Sequence, residues 1–398
     1  MLKRELGLPL LVLYGTGITI GAGIYVLIGA VARHADAYAA WSFLLAAAVM
    51  GLTVASYAEM ATRYPVSAGE AAYVRAAFGS RLMSTLVGLL TLATGIVASA
   101  AVTLGGTGYL RQFIELPPML IASAIVVVLG VFAAWGIVES VILASLFTLI
   151  EVGGLVLIVI AATSKNLAFA NALLILPPLD LAKLSGLTFA SLLAFFAFIG
   201  FEDLANIVEE TKVPHRDIPR AMTLTLVITS LLYVLVAAVA VTAISPEKLA
   251  ASPAPLGLVY QIVTGLDPKT FNAIAIVATL NTILAQMTMA ARVVYGMARQ
   301  GDLPRMLGHV HRASGTPLIA TGLVIVAVVT LSLSFPLERL AESTSIATLV
   351  TFALVNLSLL RIRLRKIKSA HPHVEVPLWV PALGFATCLL MIAVAWLD

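Results

Sequence analysis

Gly15-Thr16-Gly17-Ile18-Thr19-Ile20-Gly21-Ala22-Gly23 places four glycines in nine positions, in the middle of an apolar run from Leu8 to Val31. Each glycine costs a helix about 1 kcal/mol relative to alanine. The stretch therefore reads in two ways. A break in the helix here would expose backbone N–H groups at the start of a second half-helix, where the positive end of the dipole suits a carboxylate. Alternatively, the small-xxx-small pair Gly17 and Gly21 lets two helices pack closely. The run also bears on processing. Lys3, Arg4 and the small-residue site Ala30-Val31-Ala32 loosely match a signal peptide. The run exceeds the core of about 7–15 apolar residues that such peptides carry, so an uncleaved first span is expected.

The rest of the chain says what surrounds that run. It has 398 residues, 61% of them hydrophobic and 11% charged, with a mean hydropathy of +1.04. Soluble domains carry about 25% charged residues, so lipid must be the solvent of this one. A single cysteine, Cys388, excludes a disulfide framework and any Cys-based metal site. A membrane helix needs about 20 apolar residues. Eleven stretches meet that need: 9–31, 38–61, 83–110, 117–136, 140–163, 186–209, 222–243, 270–298, 316–334, 340–361 and 376–397. Prolines punctuate the separators, among them Pro65, Pro117, Pro178, Pro214, Pro304 and Pro336. Segment 65–79 is too short to span and carries Glu70 and Arg75, so it is expected as a surface amphipathic helix.

Lysine and arginine set the orientation. With the N-terminus in the cytoplasm, the cytoplasmic loops hold seventeen basic residues and the outer loops seven, which uses all 24. An odd span count then leaves Asp398 outside. The basic segment 361–368 lies against a span, so it reads as a membrane anchor and not as a nucleic-acid site. His309, His311, His371 and His373 sit in loops without nearby ligands, and Gly105-Gly106-Thr107-Gly108 lies inside an apolar span. No metal, dinucleotide or nucleophile site is expected, and no catalytic residue.

Nearly all acidic residues fall in loops or at helix ends, and Glu151, Glu202 and Asp203 do not. A carboxyl at membrane depth is costly and marks an ion or substrate path, or else a packing hydrogen bond. Glu151 lies halfway along 140–163, where burial pushes a carboxyl toward neutrality, as a proton carrier requires. Glu202 and Asp203 follow Phe195-Phe196-Ala197-Phe198-Ile199-Gly200-Phe201 in the sixth span. Gly200 and two acids at depth suggest a second interruption, whose unwound carbonyls would meet an ammonium group. The two weak points are five spans apart. Interruptions at matching positions of two halves are the best sequence pointer to a transporter binding site, and five spans per half makes the halves inverted.

These residues resemble the amino acid–polyamine–organocation transporter superfamily, and in particular a prokaryotic amino acid permease. The resemblance runs through Gly21-Ala22-Gly23-Ile24-Tyr25, then Tyr64-Pro65 with Ala68-Gly69 and Tyr73, and Ala77-Phe78-Gly79. It continues in Phe196 to Glu202 with Glu209-Glu210-Thr211-Lys212, Pro214, Arg216 and Ile218-Pro219. It ends with Arg292, Tyr295, Met297-Ala298-Arg299, Gly301, Leu303-Pro304 and Gly315-Thr316-Pro317. It implies an all-α membrane protein with a LeuT-like inverted five-plus-five helix repeat in which helices 1 and 6 are broken. Residues 1–163 would form the first repeat, 186–361 the second, and 376–397 an additional eleventh helix. The substrate carboxylate would sit on Thr19, Gly21, Ala22 and Gly23, and its amine on carbonyls of Phe196, Ala197 and Ile199, with Phe196 as an aromatic gate.

The implied activity is secondary active uptake of an amino acid across the cytoplasmic membrane, by proton symport and alternating access. No cofactor is implied, the coupling ion being a proton held by Glu151 and Glu202. An exchanger, a sodium-coupled symporter and a membrane sensor are the alternatives. This sequence departs from the family in two places. Proton-coupled relatives often carry a lysine where Glu151 stands. Many have twelve spans, so the dimer contact of their last helices does not carry over, and the oligomeric state stays open with a monomer as its simplest form. Thr19, Ala22 and the aromatic rings of span six favour a neutral substrate.

Overall fold

Backbone N–H and C=O groups find no water in lipid and must bond within their own segment, which long apolar runs achieve as helices. The computed structural model describes residues 6–66, 69–135, 141–177, 180–311 and 316–395. Lys3, Arg4, Ala68, Pro178, Gly315 and Asp398, named above, lie outside the described residues. The helices, in chain order, are α1 Leu8–Ile20, α2 Gly23–Ala35, α3 Ala39–Arg63, α4 Gly69–Phe78, α5 Arg81–Leu110, α6 Pro118–Trp135, α7 Val141–Ser164, α8 Asn171–Leu174, α9 Leu181–Phe196 and α10 Asp203–Asn206. They continue as α11 Pro214–Ala243, α12 Pro246–Ala251, α13 Pro255–Thr264, α14 Lys269–Gln300, α15 Leu318–Ser334, α16 Leu337–Leu364 and α17 Trp379–Ala395.

Nine of the eleven expected stretches are single helices, and 9–31 and 186–209 are each divided, as α1–α2 and α9–α10. By length and apolarity alone, seven helical stretches among the described residues are able to cross a bilayer, and Leu8–Ile20, Leu184–Phe196, Pro255–Thr264, Leu318–Ser334 and Trp379–Ala395 are shorter apolar helices. The surface helix expected over 65–79 is α4. Helices α12 and α13, between α11 and α14, were not anticipated: both start on a proline, Pro246 and Pro255, that a sequence reading takes for a loop. Proline suits the first helical turn, where its missing N–H has no partner to lose.

Helix α1 is held between α7 and α11, and α2 lies against α9, so each divided span packs on other long helices and on its counterpart. Leu6 makes an isolated β-bridge to the end of the sixth span: its N–H donates to the Glu210 carbonyl at 3.0 Å and the Lys212 N–H donates to the Leu6 carbonyl at 2.9 Å. Helices α3 and α16 are joined inside the bundle by Ser56, which donates to Asn356 at 2.6 Å, and by Asn356, which donates to Thr53 at 3.1 Å. At the end of α3, the buried Glu59 carboxylate accepts from Arg63 at 2.7 Å, Arg363 at 3.3 Å and the Val376 N–H at 2.8 Å. Two cations and a backbone donor offset the cost of burying that charge, and they anchor the connection leading into α17.

Candidate functional site

Both weak points in the sequence are breaks in the structure. Helix α1 ends at Ile20, and α2 begins at Gly23. Gly21 between them has φ 30° and ψ −130°, a backbone that a side chain would strain. In the sixth span α9 ends at Phe196 and α10 begins at Asp203. The intervening turn is wound tightly, with Phe198 N–H on the Phe195 carbonyl at 3.0 Å and Ile199 N–H on that of Phe196 at 3.2 Å. Gly200 there has φ 124°.

The two breaks touch. A Cβ on Gly23 would lie 2.5 Å from the Ala197 Cα and 2.8 Å from its Cβ. A single tyrosine from α11 spans the contact. The Tyr233 hydroxyl lies 2.9 Å from the Thr19 carbonyl, 3.3 Å from that of Ile20 and 2.8 Å from that of Ala197. The C-terminal carbonyls of α1 lack partners inside their helix, and Tyr233 supplies a donor from outside. Its ring is fixed edge-on against Phe43 at 5.6 Å and Phe198 at 5.0 Å.

Beside this contact lies a small cavity. Ile18, Thr19, Ala22 and Gly23 line it from the first break, Phe196 and Ile199 from the second, Ala98 and Val102 from α5, and Thr282 and Gln286 from α14. Two of its polar atoms, Thr19 Oγ1 and Gln286 Oε1, are buried without a hydrogen-bond partner among the described residues. Such an atom costs about 1–3 kcal/mol, so the site is polar where nothing in the protein requires it. No lining side chain is charged.

Of the residues singled out in the sequence, Thr19, Ala22, Gly23, Phe196 and Ile199 line this cavity, while Gly21 and Ala197 form its backbone supports. Ala98, Val102, Thr282, Gln286 and Tyr233 escaped the reading. Gln286 and Asn281 carry a sequence signal, being amides deep in an apolar span. The small residues of α5 carry none.

Glu151 is fully buried on α7. Asn281 of α14 approaches its Oε1 at 3.5 Å, and the Tyr25 hydroxyl donates to its carbonyl at 2.6 Å. Tyr109 in turn donates to the Tyr25 carbonyl at 2.7 Å. A chain of hydrogen bonds thus runs from α5 through the start of α2 to the backbone of Glu151. Glu202 lies away from Glu151, where its Oε2 accepts from the Gly200 N–H at 2.8 Å, so its carboxyl braces the second break. Asp203 accepts from Asn206 at 3.2 Å.

Comparison with known proteins agrees with this geometry. The sequence profile described as "Amino acid permease" matches residues 6–398. The chain is 30% identical to the branched-chain amino acid permease BcaP of Bacillus subtilis, over 98% of this chain and 88% of that protein. It is 31% identical to an uncharacterized transporter of Mycobacterium bovis, over 98% of this chain and 86% of that one. It is 29% identical to the mitochondrial cationic amino acid transporter 3 of Arabidopsis thaliana, over 95% of this chain and 64% of that protein. A multi-pass helical membrane protein whose two broken helices meet at a small polar cavity, matched by that profile from end to end, belongs to the amino acid permease family.

Proposed function

We propose that this permease takes up a neutral amino acid across the cytoplasmic membrane by proton symport. The observation that carries the reading is the contact of Gly23 with Ala197 beside a cavity holding two unpartnered polar atoms, Thr19 Oγ1 and Gln286 Oε1. The N–H groups of the first turn of α2, at Ala22 and Gly23, face a carboxylate, as the start of a helix favours. The carbonyls of Phe196, Ala197 and Ile199 face the ammonium group. Two of them already accept one hydrogen bond, from Ile199 N–H and from Tyr233, and each keeps a second lone pair. The uncharged lining supports a neutral side chain over the cationic one that the name of the Arabidopsis relative would suggest.

The space open to the centre of a water molecule is about 10 Å³, roughly that of one water. An amino acid therefore enters only as the two breaks move apart. This supports alternating access; the proposed cycle takes 1–163 and 186–361 as inverted five-helix repeats and α17 as an added span, with the N-terminus in the cytoplasm. A proton shifts the equilibrium between the two arrangements through its unequal affinity for them. Glu151, buried against Tyr25 of α2 and Asn281 of α14, carries it, with Glu202 at the second break.

Uptake of leucine and of arginine into proteoliposomes with an imposed pH gradient tests this. Wild type should accumulate leucine and exclude arginine, and Glu151→Gln should lose the pH drive while still exchanging leucine. Arginine preference would overturn the substrate class, and pH-driven accumulation by the mutant would remove Glu151 from the mechanism.

A further inference from the structure

Helix α4 brings a third carboxyl to the pair that follows the second break. Glu70 is buried and accepts a hydrogen bond from the Tyr57 hydroxyl of α3 at 3.1 Å. The Tyr57 ring stands edge-on to Phe201, inside the break, at 5.3 Å, and to Tyr73 of α4 at 6.2 Å. The start of α4 abuts α10, since a Cβ on Gly69 would lie 2.7 Å from Asn206 Oδ1. Asn206 also donates to Asp203 one turn earlier in α10, so the residue that touches the start of α4 also holds one of the two acids. The Tyr73 hydroxyl is fully buried and has no hydrogen-bond partner among the described residues. It faces Glu70, whose charge adds to burial in raising the tyrosine well above its ordinary value.

No ion pair within 4 Å balances Glu70, Glu202 or Asp203 among the described residues. The charged groups on the elements packed against α4 are engaged elsewhere. Arg81 of α5 pairs with Asp302 at 2.8 Å, and Arg361 of α16 donates to the Ala77 carbonyl at 3.0 Å and lies over the Phe78 ring. Glu70 is buried and Glu202 and Asp203 are half-buried; an acid taken out of water without a cation is driven to its neutral form, and neighbouring like charges add to that drive. Burial accordingly raises Glu70 above the ordinary carboxyl range, against the lowering effect of its own backbone bond and of the Tyr57 hydrogen bond. Among the described residues these three acids do not form a group able to hold a metal ion.

We propose that Glu70, Glu202 and Asp203 form a second proton-binding site, which closes α4 against the inner half of the sixth span when protonated and opens that contact when the proton leaves. It rests on the transporter reading above and is separate from Glu151. Protonated, Glu70 keeps its hydrogen bond with Tyr57 and Asp203 its hydrogen bond with Asn206. Ionised, they repel one another across the α4–α10 contact and draw in water. The side of the membrane that controls the site is the one α4 faces, the cytoplasm in the proposed orientation.

The test is leucine exchange in right-side-out membrane vesicles, with the inner pH varied and the outer pH fixed. Glu70→Gln should shift the midpoint of the inner-pH profile by at least about one pH unit and leave the outer-pH profile in place. Glu70→Asp should restore the wild-type profile. Infrared spectra of the purified protein should lose one protonated-carboxyl signal in Glu70→Gln. An unchanged inner-pH profile, or an unchanged carboxyl signal, would overturn the proposal. If Glu70→Gln does not fold, the wild-type infrared titration decides it, since absence of any carboxyl protonating above the ordinary range would be equally fatal. Exchange needs no proton gradient, so failure of proton symport in wild type and failure of this site give different results.

Discussion

Gly23→Ala adds one methyl group at the point where the two breaks touch. Its Cβ would sit 2.5 Å from the Ala197 Cα, 2.8 Å from its Cβ and 3.3 Å from its carbonyl carbon. Ordinary carbon contacts are about 3.5–4.0 Å, so the segments must separate by about 1 Å. The obstruction is mainly backbone, not the free end of a side chain, and no rotamer change relieves it. Overpacking of this kind costs about 1–3 kcal/mol, which reduces the population of the closed arrangement about 5- to 150-fold. The control is Gly153→Ala on α7, where an added Cβ meets nothing within 4 Å. That change should be neutral or stabilise by up to about 1 kcal/mol through helix propensity alone. Leucine uptake and the thermal midpoint of the purified protein are the two measurements. Gly23→Ala should lower both, uptake by about tenfold or more for 1.4 kcal/mol, and Gly153→Ala neither. Equal behaviour of the two variants would refute the claim that the breaks meet at Gly23 in the working protein.

Tyr233→Phe keeps the ring contacts with Phe43 and Phe198 but leaves hinge carbonyls without their donor, so stability should fall by about 1–3 kcal/mol in a thermal or denaturant titration. Gln286→Leu removes an unpartnered oxygen and should raise the thermal midpoint while weakening leucine uptake; a fall in the midpoint would show that the amide is satisfied within the protein. Glu375 is exposed, and Arg363, then the His373 hydrogen bond, hold its carboxyl below the usual range. A lowered folded-state value means the stabilisation is present above the ordinary carboxyl range and lost as pH falls through the depressed value. Glu375→Gln should therefore differ slightly from wild type in thermal midpoint near neutrality and converge with it in acid.

The membrane class and nine undivided helices were legible because apolar length is a property of the chain alone. The glycines alone left the first break as one of two readings, and the resemblance to the transporter superfamily selected it. Glycines that unwind a helix and glycines that admit a neighbour look alike in sequence, and this stretch does both: Gly21 turns the chain while Gly17 lies against Thr148 of α7. The second break was marked by Gly200 with acids beside it, and both features act there, since Glu202 braces the Gly200 N–H. What sequence could not supply was the partner on another helix. Tyr233 is an ordinary residue of α11 until folding brings it to the breaks, and the amides of α14, conspicuous by their depth, do not show in sequence that Gln286 faces the cavity and Asn281 faces Glu151. Glu70 was read as the mark of a surface helix, yet it is buried, because α4 lies against α5, α16 and α10.

The Tyr233 hydroxyl has one hydrogen and three carbonyl oxygens within 3.3 Å. It can donate fully to only one of them at a time. The first break contributes two of these oxygens and the second contributes one, so the donor can follow either hinge without leaving the other wholly unserved. The other close approaches of the hinges, Gly23 against Ala197 and Gly200 against Ile18, are steric, with no hydrogen bond across them among the described residues. Separating them thus exposes few new polar groups, and the cost is chiefly lost packing around two residues that have almost no side chain. A tight apolar seam would resist opening, and a fully bonded polar one would resist closing. Gly23, Ala197 and one mobile proton give a joint with a small penalty in either direction, which is the energetic condition that the proposed alternating access sets.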